Sequence, residues 1–221
     1  MEILWYNNYE SMLVRRYSIK KHMKYNTIIT YIFYVLLTIT LVWDVFARGG
    51  GKVFRIVLIY ITIFIIRWLF NKTFLKKSKV GYLLALVFIF FSMYLTNIMN
   101  FYSISHYDKF LHLISGALLA FYGLIIYIFL CGNKENPSMK PITMVIFPLL
   151  FAIACAGAWE IWEFTTDQIF GFTAQNNSLH DTMCDIICGT TGGSFSCFLM
   201  YLYIKGKNIR IVKMIIKDME D

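Results

Sequence analysis

The chain has 221 residues, of which 58% are hydrophobic, 18% aromatic and only 15% charged, with a mean hydropathy of +0.60. Soluble domains carry about 25% charged residues, so this chain has too little polar surface for an ordinary soluble domain. Disorder and collagen-like repeats are excluded too. A net charge of +8 and a pI near 9.2 would suit nucleic acid, but the apolar content makes the lipid bilayer the first expected partner.

A membrane-spanning helix needs about 20 apolar residues, and six stretches qualify. In chain order they are residues 27–47, 53–70, 80–98, 110–130, 142–163 and 182–204. Turn or polar signals separate them at 48–52, 71–79, 100–109, 132–141 and 165–181. The first stretch follows a long polar segment and exceeds a signal-peptide core, so it reads as a retained helix. The runs are uniformly apolar and lack the alternation of barrel strands. Helices also satisfy their own backbone groups, as lipid requires. The expected fold is all-α: a polytopic helical membrane protein of the cell membrane with six transmembrane helices. Residues 1–26 form an N-terminal segment, 27–204 the membrane domain and 205–221 a basic amphipathic tail.

Lys and Arg set the orientation. Seventeen fall on one side: Arg15, Arg16, Lys20, Lys21 and Lys24 at the N-terminus; Arg67, Lys72, Lys76, Lys77 and Lys79; Lys134 and Lys140; and Lys205, Lys207, Arg210, Lys213 and Lys217. Arg48, Lys52, Arg55 and Lys109 fall on the other. Both termini are therefore expected in the cytoplasm. In the tail, Arg210, Lys213 and Lys217 share one helical face and Ile211, Val212, Ile215, Ile216 and Met219 lie mostly on the other. That pattern predicts an interfacial helix against anionic lipid. Residues 3–17 show a less regular version.

The acidic residues are more informative. Asp44, Asp108, Glu160, Glu163, Asp167, Asp181 and Asp185 all map to the extracytoplasmic helix ends, with His106, His112 and His180. A charge at a helix centre in the membrane costs roughly 2.5–3.5 kcal/mol and marks a functional site by default. Asp108 and His112 are four apart, as are Asp181 and Asp185, and Glu160, Glu163 and Asp167 follow i, i+3, i+7. Each set lies on one helical face. His112 and Asp185 lie about 6 Å deeper than Asp108 and Asp181 at the helical rise. Three helices therefore present ionisable groups at matched depth, and converging faces would make an acidic cup with few basic residues near it. Such a cup must take up protons or a cation.

Simpler roles stand beside this one. Asp108 and Asp181 sit where N-caps sit; Asp167 reads as a solvated loop residue, as does His106; Asp44 marks a helix end. Cys184 and Cys188 lack zinc-finger spacing and behave as small apolar residues. Gly189, Gly192 and Gly193 suit close helix packing. Trp159 and Trp162 suit an interfacial aromatic belt. There is no phosphate loop and no dinucleotide fingerprint, and the dispersed aromatics make no nucleic-acid stacking platform.

Three ordered blocks carry a family resemblance: Tyr107-Asp108-Lys109-Phe110-Leu111-His112, the pair Glu160/Glu163, and Asp181-Thr182-Met183-Cys184-Asp185 followed by Gly189. They resemble the YjdF-like bacterial integral membrane proteins over about the last three spans. A fainter similarity is to VanZ-like membrane proteins, from which Asp185 departs where Asn is usual. The resemblance implies the site residues and no particular reaction.

The expected ligands of a divalent metal (Zn, Fe or Mn, as His with carboxylates favours) are Asp108, His112, Glu163, Asp181 and Asp185. Glu160 is the expected general base or a further ligand, and Glu163 shares its catalytic role. Metal-assisted chemistry on a lipid or envelope-linked substrate is the leading expectation. A proton- or cation-coupled transporter and a non-enzymatic envelope-binding or assembly protein are the alternatives. In a cysteine-free background, a single cysteine at position 176 is expected to react with an impermeant maleimide added to intact cells. Labelling only from the cytoplasmic side would reverse the orientation.

Overall fold

A computed structural model describes residues 2–131 and 141–220, with side chains from Lys24 onward. The amphipathic pattern expected at residues 3–17 and the loop charges Lys134, Glu135 and Lys140 lie outside what it describes. Seven α-helices are present among the described residues: α1 Glu2–Arg48, α2 Val53–Lys72, α3 Lys79–Ile89, α4 Tyr107–Cys131, α5 Thr143–Phe170, α6 Leu179–Ile204 and α7 Arg210–Glu220. Helix α3 continues as a π-helix, Phe90–Ile98. Six helices are long and apolar enough to cross a membrane: Lys24–Arg48, Val53–Lys72, Lys79–Ile98, Tyr107–Cys131, Thr143–Phe170 and Leu179–Ile204. Large apolar side chains such as Ile32, Phe46, Phe54 and Phe64 point outward along them, as a bilayer requires and water would penalise. The molecule is a multi-pass helical membrane protein.

The chain forms two compact units, Met1–Ile89 with Met214–Asp221, and Phe90–Lys213. In the first, α1 and α2 make a hairpin through Gly49 and Gly50, both at positive φ. Asp44 is buried and closes this turn: its Oδ2 accepts the Lys52 N–H at 2.8 Å. Its carbonyl accepts the Gly50 N–H. The start of α2 thus gains a partner for a backbone donor that helix ends leave orphaned. Leu37, Ile56, Ile59, Ile63 and Tyr82 fill the core, and the Tyr82 hydroxyl bonds Thr30.

The tail departs from the sequence expectation. Val212, Ile215 and Met219 are buried by protein, so the apolar face of α7 is not free to lie in lipid. Asp218 explains the docking of its last turn. Its Oδ2 accepts the Val80 N–H at 3.1 Å and its Oδ1 pairs with Lys79 at 3.6 Å. A carboxylate at the start of α3 satisfies an open N–H and complements the helix dipole. Arg210, Lys213 and Lys217 remain exposed.

In the second unit, α4, α5 and α6 pack against one another. Helices α4 and α6 touch backbone to backbone. A Cβ on Gly116 would sit 1.8 Å from the Gly189 carbonyl oxygen, and one on Gly192 would sit 1.9 Å from that of Leu113. Small residues permit such approach where apolar burial gives helices no advantage over lipid. Ser196 Oγ adds an interhelical bond to the Ala117 carbonyl. The π-helix is tied to α4 by the Tyr107 hydroxyl, which donates to the Phe91 carbonyl at 2.8 Å. The third span was expected to be a regular helix, and its second half is not.

Two other helix ends differ from the sequence reading. Helix α5 runs past residue 163 to Phe170, where Gly171 in the left-handed conformation closes it. Asp167 therefore lies in the last helical turn rather than in a loop. Its two oxygens accept the Ala174 and Gln175 N–H groups at 2.8 and 3.0 Å. Helix α6 is capped by Ser178, whose side chain accepts the Asp181 N–H. Asp181 is thus not the cap, which frees its carboxylate. Asp108 likewise sits inside the first turn of α4, after His106 at positive φ.

Gly116→Ala is expected to force α4 and α6 apart and destabilise the protein by roughly 1–3 kcal/mol, as overpacking does. Gly157→Ala, whose added Cβ meets open space, is expected to change stability by less than about 0.5 kcal/mol or to raise it slightly. Thermal unfolding in detergent compares the two.

Candidate functional site

The parallel register of α4 and α6 carries straight into the site. One turn before Gly116 lies His112 and one turn before Gly189 lies Asp185; a further turn back lie Asp108 with Lys109, and Asp181. Helix α5 runs the other way and brings Glu160 alongside. Three helices therefore place side chains from separate parts of the sequence at one end of the unit.

Lys109 is the hub. Its Nζ lies 2.5 Å from Asp181 Oδ1, 2.8 Å from Asp185 Oδ2 and 3.5 Å from Asp108 Oδ2. In the sequence, Lys109 stands as one of four basic residues on its side and as a member of the first family block, neither of which reveals this role. The available signal was its place between Asp108 and His112, one residue off the Asp108/His112 face. Asp185, only 3% exposed, could not remain charged at that depth without a partner.

His112 lies beneath the lysine. Its Nε2 is 3.7 Å from Asp185 Oδ1 and 3.9 Å from Asp108 Oδ1, and its Nδ1 is 4.0 Å from Glu160 Oε1. Ligand atoms of Asp108, His112 and Asp185 all lie within 4.8 Å of one another, the spacing that a single ion can draw together. The Glu160 side chain is 4% exposed, and neither of its oxygens has a hydrogen bond. A buried carboxylate is costly without a compensating group, and the group nearest to Glu160 in this cluster is the His112 imidazole.

The other expected residues lie around this core. Asp181 accepts from Lys109 and from Asn176 Nδ2, the latter at 2.7 Å. Glu163 accepts the Trp159 indole N–H at 2.8 Å and is not among the three convergent ligands. Trp159 thus has a hydrogen-bonding role beside its interfacial one. Above the cluster, a cavity of about 260 Å³ is lined by Tyr102, His106, Asp108, Lys109, Asn176 and Asp181. Desolvation first, and then the charges of Asp108, Glu163 and Asp181, push the Tyr102 phenol up to about 12. It therefore stays a neutral donor toward Asp108, 3.5 Å away, at any working pH.

Chemically, Asp108, Asp181 and Asp185 surround the Lys109 ammonium, and Asp108, Glu160 and Asp185 surround the His112 imidazole. Lys109 neutralises part of that charge, and the Asp108, His112 and Asp185 group could hold a metal ion. Lys109→Met is expected to destabilise the protein by roughly 3 kcal/mol, because it strands buried carboxylates. Lys109→Arg, which keeps the charge, is expected to lose less. Thermal midpoints in detergent decide this, and an unchanged midpoint for Lys109→Met would show that the carboxylates do not depend on the ammonium.

No curated protein and no solved structure matches the chain, and the comparisons show no VanZ-like relationship. Residues 29–206 match a family described as predicted membrane protein (DUF2238). That stretch takes in all three blocks of the site and five of the six spans entire. The chain therefore belongs to this family of predicted membrane proteins, the YjdF-like family.

Proposed function

We propose that the second unit holds a divalent cation on Asp108, His112 and Asp185 and uses it on a lipid or envelope-linked substrate at the extracytoplasmic face. The observation that carries this reading is the convergence of those three ligand atoms within 4.8 Å, beside the unpartnered carboxylate of Glu160. One imidazole with carboxylates suits Zn, Fe or Mn. Such an ion would lower the pKa of a bound water and make it a nucleophile near neutral pH.

The chain's own residues have separable roles in this reading. His112 turns Nε2 toward Asp108 and Asp185 and Nδ1 toward Glu160. A carboxylate that takes the second imidazole N–H fixes the tautomer and strengthens the ligand, and Glu160 is placed to do so. The same carboxylate is available as a base for a substrate or water proton. Lys109 holds Asp181 and Asp185 in register and offers positive charge to an oxyanion that forms beside the cluster. Asp181 and Glu163, committed to Lys109 with Asn176 and to Trp159, serve as an outer ring rather than as direct ligands.

Transport draws less support from this geometry. The charged groups sit at one end of α4–α6, and the next turns inward bring α4 and α6 into backbone contact at Gly116 and Gly189. Beyond it, Ser196 Oγ is bonded to the Ala117 carbonyl, and residues 113–131, 143–159 and 186–204 contain no Asp, Glu, Lys, Arg or His.

Metal analysis of purified protein is expected to give about one divalent ion per chain, falling at least tenfold in His112→Ala and Asp185→Ala. Wild-type protein with no metal above the buffer background, after exposure to Zn, Fe(II) and Mn, would end this reading.

A further inference from the structure

A second cavity opens on the other side of Glu160. It has a volume of about 680 Å³ and lies between the end of α5, the segment 171–178 and the start of α6. Its character is divided. Ile161, Phe164 and Leu179 form one wall and are 68%, 53% and 78% exposed. All three lie on membrane-spanning helices near the ends that segment 171–178 joins, and they present an exposed apolar surface there. Gln175, Asn177 and Thr182 contribute to the polar wall, and Glu160 lies behind them. Gln175 Nε2 donates to the Glu160 carbonyl at 3.3 Å and so pins the segment over α5.

We propose that this cavity takes the hydroxylated sugar head of a glycolipid, entering sideways from the bilayer with its acyl chains against Ile161, Phe164 and Leu179. Three observations select that chemistry. No Lys, Arg or His lines the cavity, while Glu160 and Asp167 do, so an anionic phosphate head meets repulsion without a counter-charge. Each Asp167 oxygen already accepts a backbone N–H, whereas neither Glu160 oxygen has a hydrogen bond within the chain, which makes Glu160 the less committed acceptor for the ligand's donors. The remaining polar lining is carboxamide and hydroxyl, groups that both donate and accept and so match sugar hydroxyls better than an ammonium. The volume falls in the range of small-molecule sites, about 300–1,000 Å³.

Glu160 is the wall shared by this cavity and the His112 cluster, 4.0 Å from His112 Nδ1. A sugar hydroxyl bonded to Glu160 would therefore sit beside the proposed cation. The inference rests on the metal reading only for the chemistry that follows binding, and binding itself can be measured apart from it.

Full-length protein in phosphatidylcholine nanodiscs, doped in turn with diglucosyl-diacylglycerol, phosphatidylethanolamine or phosphatidylglycerol, provides the test. Native mass spectrometry reads the lipid retained after release. The expected result is at least about tenfold preferential retention of the glycolipid, equivalent to about 1.4 kcal/mol. Gly157→Leu, which grows into open space at the cavity wall, is expected to remove that preference while metal content stays at the wild-type level. Glu160→Gln, which keeps the shape of the cavity, is expected to weaken retention as well. Preference for either of the other lipids, equal retention of all three, or a glycolipid preference unaffected in both variants would overturn the proposal. Wild-type protein that retains the glycolipid but binds no metal would instead overturn the metal reading alone.

Discussion

The site depends on how closely α4 and α6 approach each other. Gly116 and Gly189 remove the side chains that would hold two helices about 8–10 Å apart. Because the two helices run parallel and in register, each turn outward from that contact pairs another residue of α4 with one of α6: His112 with Asp185, then Lys109 with Asp181. With ordinary side chains at the glycines, the Lys109 ammonium could not reach three aspartates at once. The charges in turn oppose the separation of the helices, since parting them would strand Asp185 in apolar surroundings. Packing and electrostatics therefore reinforce each other along one seam.

This arrangement also explains why the total charge is a poor guide. The +8 of the chain is distributed along helix ends and a docked tail. Asp108, Asp181 and Asp185, at one end of the second unit, act locally against one ammonium. At the low effective dielectric of a buried site, local pairings outweigh distant charges.

Much of this was legible in the sequence. Uniform apolar runs identified six spans, and helical spacing put Asp108 with His112 and Asp181 with Asp185 on single faces. The unread parts depend on contacts between distant segments. Lys109 could be recognised as the hub only once α6 was known to lie beside α4. The α7 helix has the pattern of an interfacial helix, and the same apolar stripe serves equally well against protein; Asp218, beside the open N–H groups of α3, decided between them. Asp181 looked like a cap because the true cap, Ser178, lies three residues earlier in a run of polar residues. The end of α5 was misplaced because Glu163 and Asp167 resemble a loop in composition, whereas Gly171 is the residue that stops the helix. The π-helix leaves no reliable mark, since its wider turns are held by the Tyr107 and Thr96 bonds to Phe91.

The pairing of Lys109 with Asp181 and Asp185 also bears on biogenesis. The lysine precedes its partners by 72 and 76 residues, with the whole of α5 between them. At roughly 5–20 residues per second, α4 emerges from the ribosome several seconds before the carboxylates that neutralise its ammonium exist. During that interval Lys109, near the helix end, can snorkel to the headgroup region with Asp108 as its neighbour. With α6 in place, the ammonium lies against Asp181 and Asp185, beside the glycine seam. The site is thus complete only after α6 has inserted; before that, Lys109 has Asp108 beside it but neither Asp181 nor Asp185.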